Sequence, residues 1–295
     1  MLMNHANLKN RLAQLAQTFP GLFKFVFGLK YRSEIRKAQS IIIIATPGHV
    51  GSSTAFRSLV SADWGTDTRI YDIHSLTEGY NNDSEINSIT PRHVEQDVIR
   101  DMLTSGEMAN KKITVITLVR DPISRALGGK FQNPDVYLKE IQQESLKQDD
   151  FAAAAAMVKN DMLSSGFLEE TTRWQMNFYL DELKDFYGID LSQSDVQVDE
   201  GFMYAAQGNT QCLVFAMEYM NTQYPSKIKT YLGQDIEIVM ANTNEQGAGA
   251  DFYKYCKKHL QFDAPLVDRL FDYDLLKQLY PAERFQALKD QWTAR

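Results

Sequence analysis

The chain is poor in cysteine and has no long apolar run. Its two cysteines, Cys212 and Cys256, stand far apart with no second pair beside either. That argues against a zinc site or a disulfide framework and makes a reducing compartment the default. No apolar stretch approaches the ~20 residues that a membrane-spanning helix needs, and no small-residue cleavage site follows a hydrophobic segment. The expectation is therefore a cytoplasmic chain that neither spans a bilayer nor is exported. Internal repeats are absent, and the only low-complexity tract is an alanine run at 152–156.

What is present is enough apolar sequence for a large core. With 295 residues, 44% hydrophobic and 23% charged, the chain suits one α/β domain with a helical insertion. The net charge of −7 is unevenly spread. Residues 1–40 carry seven basic side chains (Lys9, Arg11, Lys24, Lys30, Arg32, Arg36 and Lys37) against Glu34, leaving 24 basic and 37 acidic residues in the remainder. An acidic body gives no support for nucleic-acid binding. The basic, aromatic front, "FPGLFKFVFGLKYR", admits two readings. Either a helix packs its Phe face on the domain, or residues 1–37 lie on an anionic membrane surface at the inner face.

Residues 40–46 form an unbroken apolar run, as in a strand buried on both faces of a parallel sheet. "STAFRSLVS" follows with helical spacing. "TRIYDIHSL" (68–76) and "KKITVITLV" (111–119) predict two more strands, with a helix between them closed by Gly106. Asp121 caps a further helix, with Pro122 at its first position. The stretch 133–187 reads as helical, with Gly188 as its stop. "QCLVFAMEYM" (211–220) and "DIEIVMAN" (235–242) predict strands around a helix, and the tail from Asp251 to Trp292 is mostly helical. This alternation predicts a doubly wound parallel sheet flanked by helices, spanning 40–295 with an insertion at about 133–187 and residues 1–39 in front.

In such a sheet, ligands bind beyond the carboxyl ends of the strands. Pro47-Gly48-His49-Val50-Gly51-Ser52-Ser53-Thr54 occupies that edge. The two glycines permit a tight turn and close backbone approach. Ser52, Ser53 and Thr54 open a helix whose free N–H groups and macrodipole favour an anion, and their hydroxyls add donors. The loop has neither the spacing nor the Lys of a nucleoside-triphosphate loop, which disfavours ATP with magnesium. A second cationic element is "TLVRDPISRALGGKF" (117–131). It places the Arg120 fork at the end of the third strand and Arg125 one helical turn further on.

Together, "HVGSST" and "RDPISRALG" resemble the two nucleotide-binding elements of the sulfotransferases that use 3′-phosphoadenosine 5′-phosphosulfate (PAPS). Within that superfamily, "IYDIHSLT", "NFYLDELKDFYGIDL" and "FDYDLLKQLYP" are similar, in order, to the bacterial capsular polysaccharide synthesis proteins. The resemblance covers roughly residues 40–285. It implies a P-loop-NTPase-like sulfotransferase fold, PAPS as donor, no metal, and a glycan or glycolipid hydroxyl as acceptor. It also implies that Pro47–Thr54 hold the 5′-phosphosulfate and that Arg120 holds the 3′-phosphate. Two positions depart from the pattern: His49 stands for the catalytic Lys, and Gly128 for a Ser that binds the 3′-phosphate.

An imidazole of ordinary pKa ~6.5 is partly charged near neutrality and can donate to the bridging oxygen. One well-aimed donor to the leaving oxygen is worth ~2.7–4 kcal/mol. His74, at the end of the second strand, is the candidate base that takes the acceptor's proton, with Asp72 on the same face to orient it. Glu78 and Asp72 are alternative bases. Two other functions stay open: a non-catalytic adenosine-bisphosphate-binding protein, and a P-loop-like phosphoryl transferase.

Overall fold

The computed structural model describes residues 18–77, 90–131, 151–193, 197–241 and 249–294. Glu78, most of the stretch leading into the second predicted helix, and the first part of the 133–187 insertion lie outside the described residues.

The helix α1 (Pro20–Lys37) leads into β1 (Ser40–Ala45), whose four isoleucines alternate between two cores. Ile41 and Ile43 point into one apolar cluster, Ile42 and Ile44 into the other. A strand with both faces covered has no need of polar alternation, which is why the run is continuous. The chain continues through α2 (Ser52–Val60), β2 (Thr68–Ile73), α3 (Pro91–Thr104), β3 (Lys112–Val119) and α4 (Pro122–Lys130). The described part of the insertion is helical throughout. It contains α5 (Phe151–Leu163), a short 3-10 turn, α6 (Phe167–Asn177), a π-turn over Phe178–Glu182 and α7 (Leu183–Tyr187), stopped by Gly188 in the left-handed region. Then come β4 (Gln197–Asp199), β5 (Phe202–Gln207), β6 (Thr210–Ala216) and α8 (Met220–Leu232). The tail folds as α9 (Ala250–His259), α10 (Ala264–Phe271), α11 (Asp274–Leu279) and α12 (Ala282–Trp292).

The six strands form one mixed sheet in the order β2-β1-β3-β6-β5-β4, flanked by helices. The first four run parallel, whereas β5 and β4 are antiparallel to their neighbours. This corrects the expectation of a wholly parallel sheet. The reason is local: only Glu200-Gly201 separate β4 from β5, and only Gly208-Asn209 separate β5 from β6. A two-residue connection can only reverse the chain, while a parallel neighbour needs a crossover of a dozen residues or more.

The expected strand at 235–242 is also corrected. Residues 234–241 run as irregular chain along α2, where Val239 N–H donates to Ser58 Oγ (2.9 Å) and Ala241 N–H to Thr54 Oγ1 (3.1 Å). Helix hydroxyls thus take the role of a neighbouring strand.

Two consequences position the functional edge. From β1 the chain goes to β2 on one side and to β3 on the other, so the sheet has its topological switch point between β1 and β3. The registers Ala45↔Ile73 and Ile44↔Ile116 bring the carboxyl ends of all three strands to one edge. On the far side, α1 packs Phe23, Tyr31 and Ile35 into the core against α3. Arg32 pairs there with Asp101 (3.0 Å) and Glu107 (3.1 Å).

Gly201 tests the hairpin geometry. Its φ is 67°, and a Cβ there would lie 2.3 Å from the Tyr219 ring, while Gly65, with φ 66°, has nothing within 4 Å. Left-handed backbone alone costs a non-glycine residue roughly 1–2 kcal/mol. In urea unfolding, Gly65→Ala should lose about that much and Gly201→Ala clearly more. Equal losses would show that the ring does not press on the turn.

Candidate functional site

The loop after β1 is built around two buried or half-buried guanidiniums. Arg125, buried on α4, donates from Nη2 to Pro47 O (2.9 Å), from Nε to Gly48 O (3.3 Å) and from Nη1 to Thr171 O on α6 (3.3 Å). Its plane lies over the Trp174 ring at 4.7 Å. Arg120, directly after β3, donates to His49 O (3.3 Å) and to Tyr253 Oη on α9 (3.1 Å). Three consecutive carbonyls are thus turned toward cations.

Across a trans peptide, C=O and the next N–H point in opposite directions. The N–H groups of Gly48, His49 and Val50 therefore face away from the guanidiniums. Among the described residues, the N–H groups of Gly48, His49, Val50, Gly51 and Ser52 meet no acceptor. Gly48 (φ 74°), His49 (φ 59°) and Gly51 (φ 90°) all adopt left-handed backbone, curling the loop into a concave set of donors that ends on the α2 N-terminus. Free N–H groups at a helix start form an arrangement that favours an anion. The non-glycine His49 is held in a sparsely populated conformation there, a strain that the clamped carbonyls maintain.

The field in this crevice can be read from its histidines. The His49 ring opens to solvent, but protein surrounds it and its pKa is lowered to about 4, by burial first and then by Arg125 and Arg120. The His74 pKa is lowered to about 3 by burial, then by Arg92 and by His49. Both rings are neutral at neutral pH, which corrects the expectation of a partly charged His49. The arginines that add to the effect of burial also supply a positive potential, which favours an anion.

The sequence-predicted residues fall as follows. Pro47, Gly48, His49, Val50 and Gly51 form the loop, and Ser52, Ser53 and Thr54 form the first turn of α2. Thr54 is corrected as a ligand donor: its hydroxyl is buried and donates to Ala241 O (3.2 Å). Arg120 and the loop, 71 residues apart, come into direct contact. Arg125, one helical turn beyond Arg120, is the strut that orients the loop rather than a second charge for a ligand. Gly128 lies on the buried side of α4, and its neighbour Gly129 makes room for the His49 ring, since a Cβ there would stand 3.2 Å from it. His74 sits at the β2 end of the same edge. Asp72 does not orient it, because that carboxylate is taken by Arg92 at 3.1 Å.

Several residues at this edge were not singled out individually, although Tyr179 and Glu182 lie within "NFYLDELKDFYGIDL" and Tyr280 within "FDYDLLKQLYP". Gln175 donates to Arg120 O (2.9 Å) and Tyr179 to Leu118 O (2.6 Å), so α6 and the π-turn fix the end of β3. Glu182, also in the π-turn, accepts from Leu76 N–H (2.6 Å), Thr77 Oγ1 (3.0 Å) and the Ser75 hydroxyl, holding the chain just after His74. Tyr280 donates to Glu218 (2.6 Å) beyond β6. Their signals were those two stretches and, for Glu182, a polar residue interrupting an aromatic helical face.

Fold and site together define an α/β protein with an arginine-clamped loop of free N–H donors at the switch point of its sheet. A family model described as "Putative capsular polysaccharide synthesis protein" matches residues 156–281, less than half of the chain. Over that stretch, from within α5 to just past α11, the chain is similar to that family; the loop at 47–54 and Arg120 lie outside the match. Comparison with curated proteins and with solved structures finds no match.

The depressed histidines make a pH prediction. Each is more readily protonated when unfolded, at about pH 6.5, than when folded. Their contribution to stability is therefore complete above pH 6.5 and lost as acid carries the pH down through about 4 and about 3. Thermal melts of His74→Gln should show a shallower fall in Tm between pH 6.5 and pH 4 than wild type. An identical slope would mean that the folded ring keeps its ordinary proton affinity.

Proposed function

We propose that the chain is a PAPS-dependent sulfotransferase that modifies a glycan or glycolipid hydroxyl in capsular polysaccharide synthesis. One observation carries this reading: a loop with five unaccepted N–H donors meets an arginine fork at the switch point of the sheet. Two anionic groups on one ligand fit such a pair better than a single phosphate does. The similarity over residues 156–281 supports the glycan context.

The N–H groups from Gly48 to Ser52 would hold the 5′-phosphosulfate. Arg120, with donors of its five-donor fork left over, would hold the 3′-phosphate. PAPS supplies the sulfuryl group and departs as adenosine 3′,5′-bisphosphate. The α2 N-terminus stabilises negative charge that develops on the leaving oxygen, and the neutral His49 ring can donate one N–H to it. His74, neutral at working pH, accepts the acceptor's proton. A bound dianion cancels part of the positive field and lifts both imidazole pKa values toward ~6.5, improving His74 as a base.

A second reading is an adenosine-bisphosphate-binding protein without turnover. The low proton affinity of both histidines favours it, since a base titrating near 3 is poorly matched to neutral pH.

Calorimetry with adenosine 3′,5′-bisphosphate tests the donor site. Wild type should bind at micromolar concentrations, and Arg120→Ala should bind about tenfold to a hundredfold more weakly. Binding should take up protons and tighten as the pH drops from 7 toward 5, because the free His49 titrates near 4 and the bound one higher. Absence of wild-type affinity would overturn the assignment. Binding without bisphosphate release from PAPS, with capsular glycan present, would select the second reading.

A further inference from the structure

The helix α1 has two apolar faces, and the sheet uses only one. Phe23, Tyr31 and Ile35 are buried in the domain, yet Phe19, Leu22, Phe25, Val26 and Leu29 are each more than half exposed. Their spacing of three and four places them in one stripe along the helix. Five large apolar side chains in one row are not the scattered exposure of an ordinary surface. Continued in the same steps, the stripe runs through Ser33 to Arg36 and Lys37. Lys24, Arg32 and Arg36 are engaged by Asp97, Asp101 and Glu107, and Lys30 makes a long, exposed pair with Glu34 on its own helix at 3.9 Å. Lys30 and Lys37 flank the stripe, and Lys37 shares an open groove with Lys111 and Lys112 at the start of β3.

We propose that this stripe docks α1 in the plane of an anionic lipid surface, with Lys30, Lys37 and Lys112 over the headgroups. The choice of occupant rests on charge. Seven basic residues against one acid lie in residues 1–40, whereas the remainder holds 24 basic and 37 acidic residues. An anionic bilayer attracts the first part and repels the second, so contact is oriented with α1 down and the acidic body in solution. A second copy of the chain would bring two basic helices together, which charge opposes. No helix among the described residues is long and apolar enough to cross a membrane, so the contact is interfacial. The inference does not depend on the chemistry proposed for the sheet edge.

Vesicle flotation of the full chain tests it, comparing phosphatidylcholine alone with phosphatidylcholine containing phosphatidylglycerol. Wild type should float with the anionic vesicles and far less with the neutral ones, and added salt should weaken the binding. Phe25→Glu/Leu29→Glu should reduce the bound fraction about tenfold or more, and Lys30→Glu/Lys37→Glu should reduce it while leaving bisphosphate affinity unchanged. All four positions are exposed, and melting curves confirm that the variants fold. A Leu29→Trp variant should show blue-shifted emission on anionic vesicles. Failure of wild type to float would overturn the proposal. So would a wild-type dimer that Phe25→Glu/Leu29→Glu splits, which assigns the stripe to a second copy, or binding that both stripe variants leave intact.

Discussion

The buried guanidinium of Arg125 is the constraint on which the functional edge depends. Its donors grip Pro47 O and Gly48 O from below and Thr171 O from the side, tying the loop, α4 and α6 into one unit. A carbonyl held inward forces the following N–H outward, so one buried cation decides which face of the loop is left to bind. Arg120 extends the same logic to His49 O. The cost of burying a charge is offset by three carbonyl acceptors and by the Trp174 ring.

Burial first and nearby arginines second set the proton affinity of the histidines: Arg125 and Arg120 beside His49, and Arg92 beside His74. Burial in a positive field holds both rings neutral, so neither His49 nor His74 starts as a charged group. Under the proposed function, an arriving dianion would change the protonation of the residues beside it. Coupling of that kind needs no moving part, only charges a few ångströms apart in a poorly screened crevice.

Around this edge the fold divides its labour. The parallel half of the sheet, β2-β1-β3-β6, places the loop, Arg120 and His74. The helical layer from α6 to α7 braces them through Gln175, Tyr179 and Glu182. The antiparallel hairpins complete the sheet on the side away from the crevice, and α1 covers the core while keeping an apolar row outside.

Much of this was legible along the chain. The isoleucine run, the "KKITVITLV" alternation, the Asp121-Pro122 cap and the Gly188 stop are local signals, and each element stands where they put it. The strands β4 and β5 were missed, although Gly208-Asn209 is a two-residue turn signal between β5 and β6. "DIEIVMAN" has strand composition, yet it lies on α2 because Thr54 and Ser58 offered hydrogen bonds where the sheet offered no edge.

The sequence by itself determined the strands β1, β2 and β3, the small-residue loop and the presence of arginines near it, because backbone preference is set by neighbours a few residues away. Tertiary structure alone decided which arginine is strut and which faces the crevice, that Thr54 is spent on Ala241, 187 residues away, and that both histidines are uncharged. Desolvation and hydrogen-bond partnership depend on groups that meet only when the chain has folded, and no local pattern encodes them.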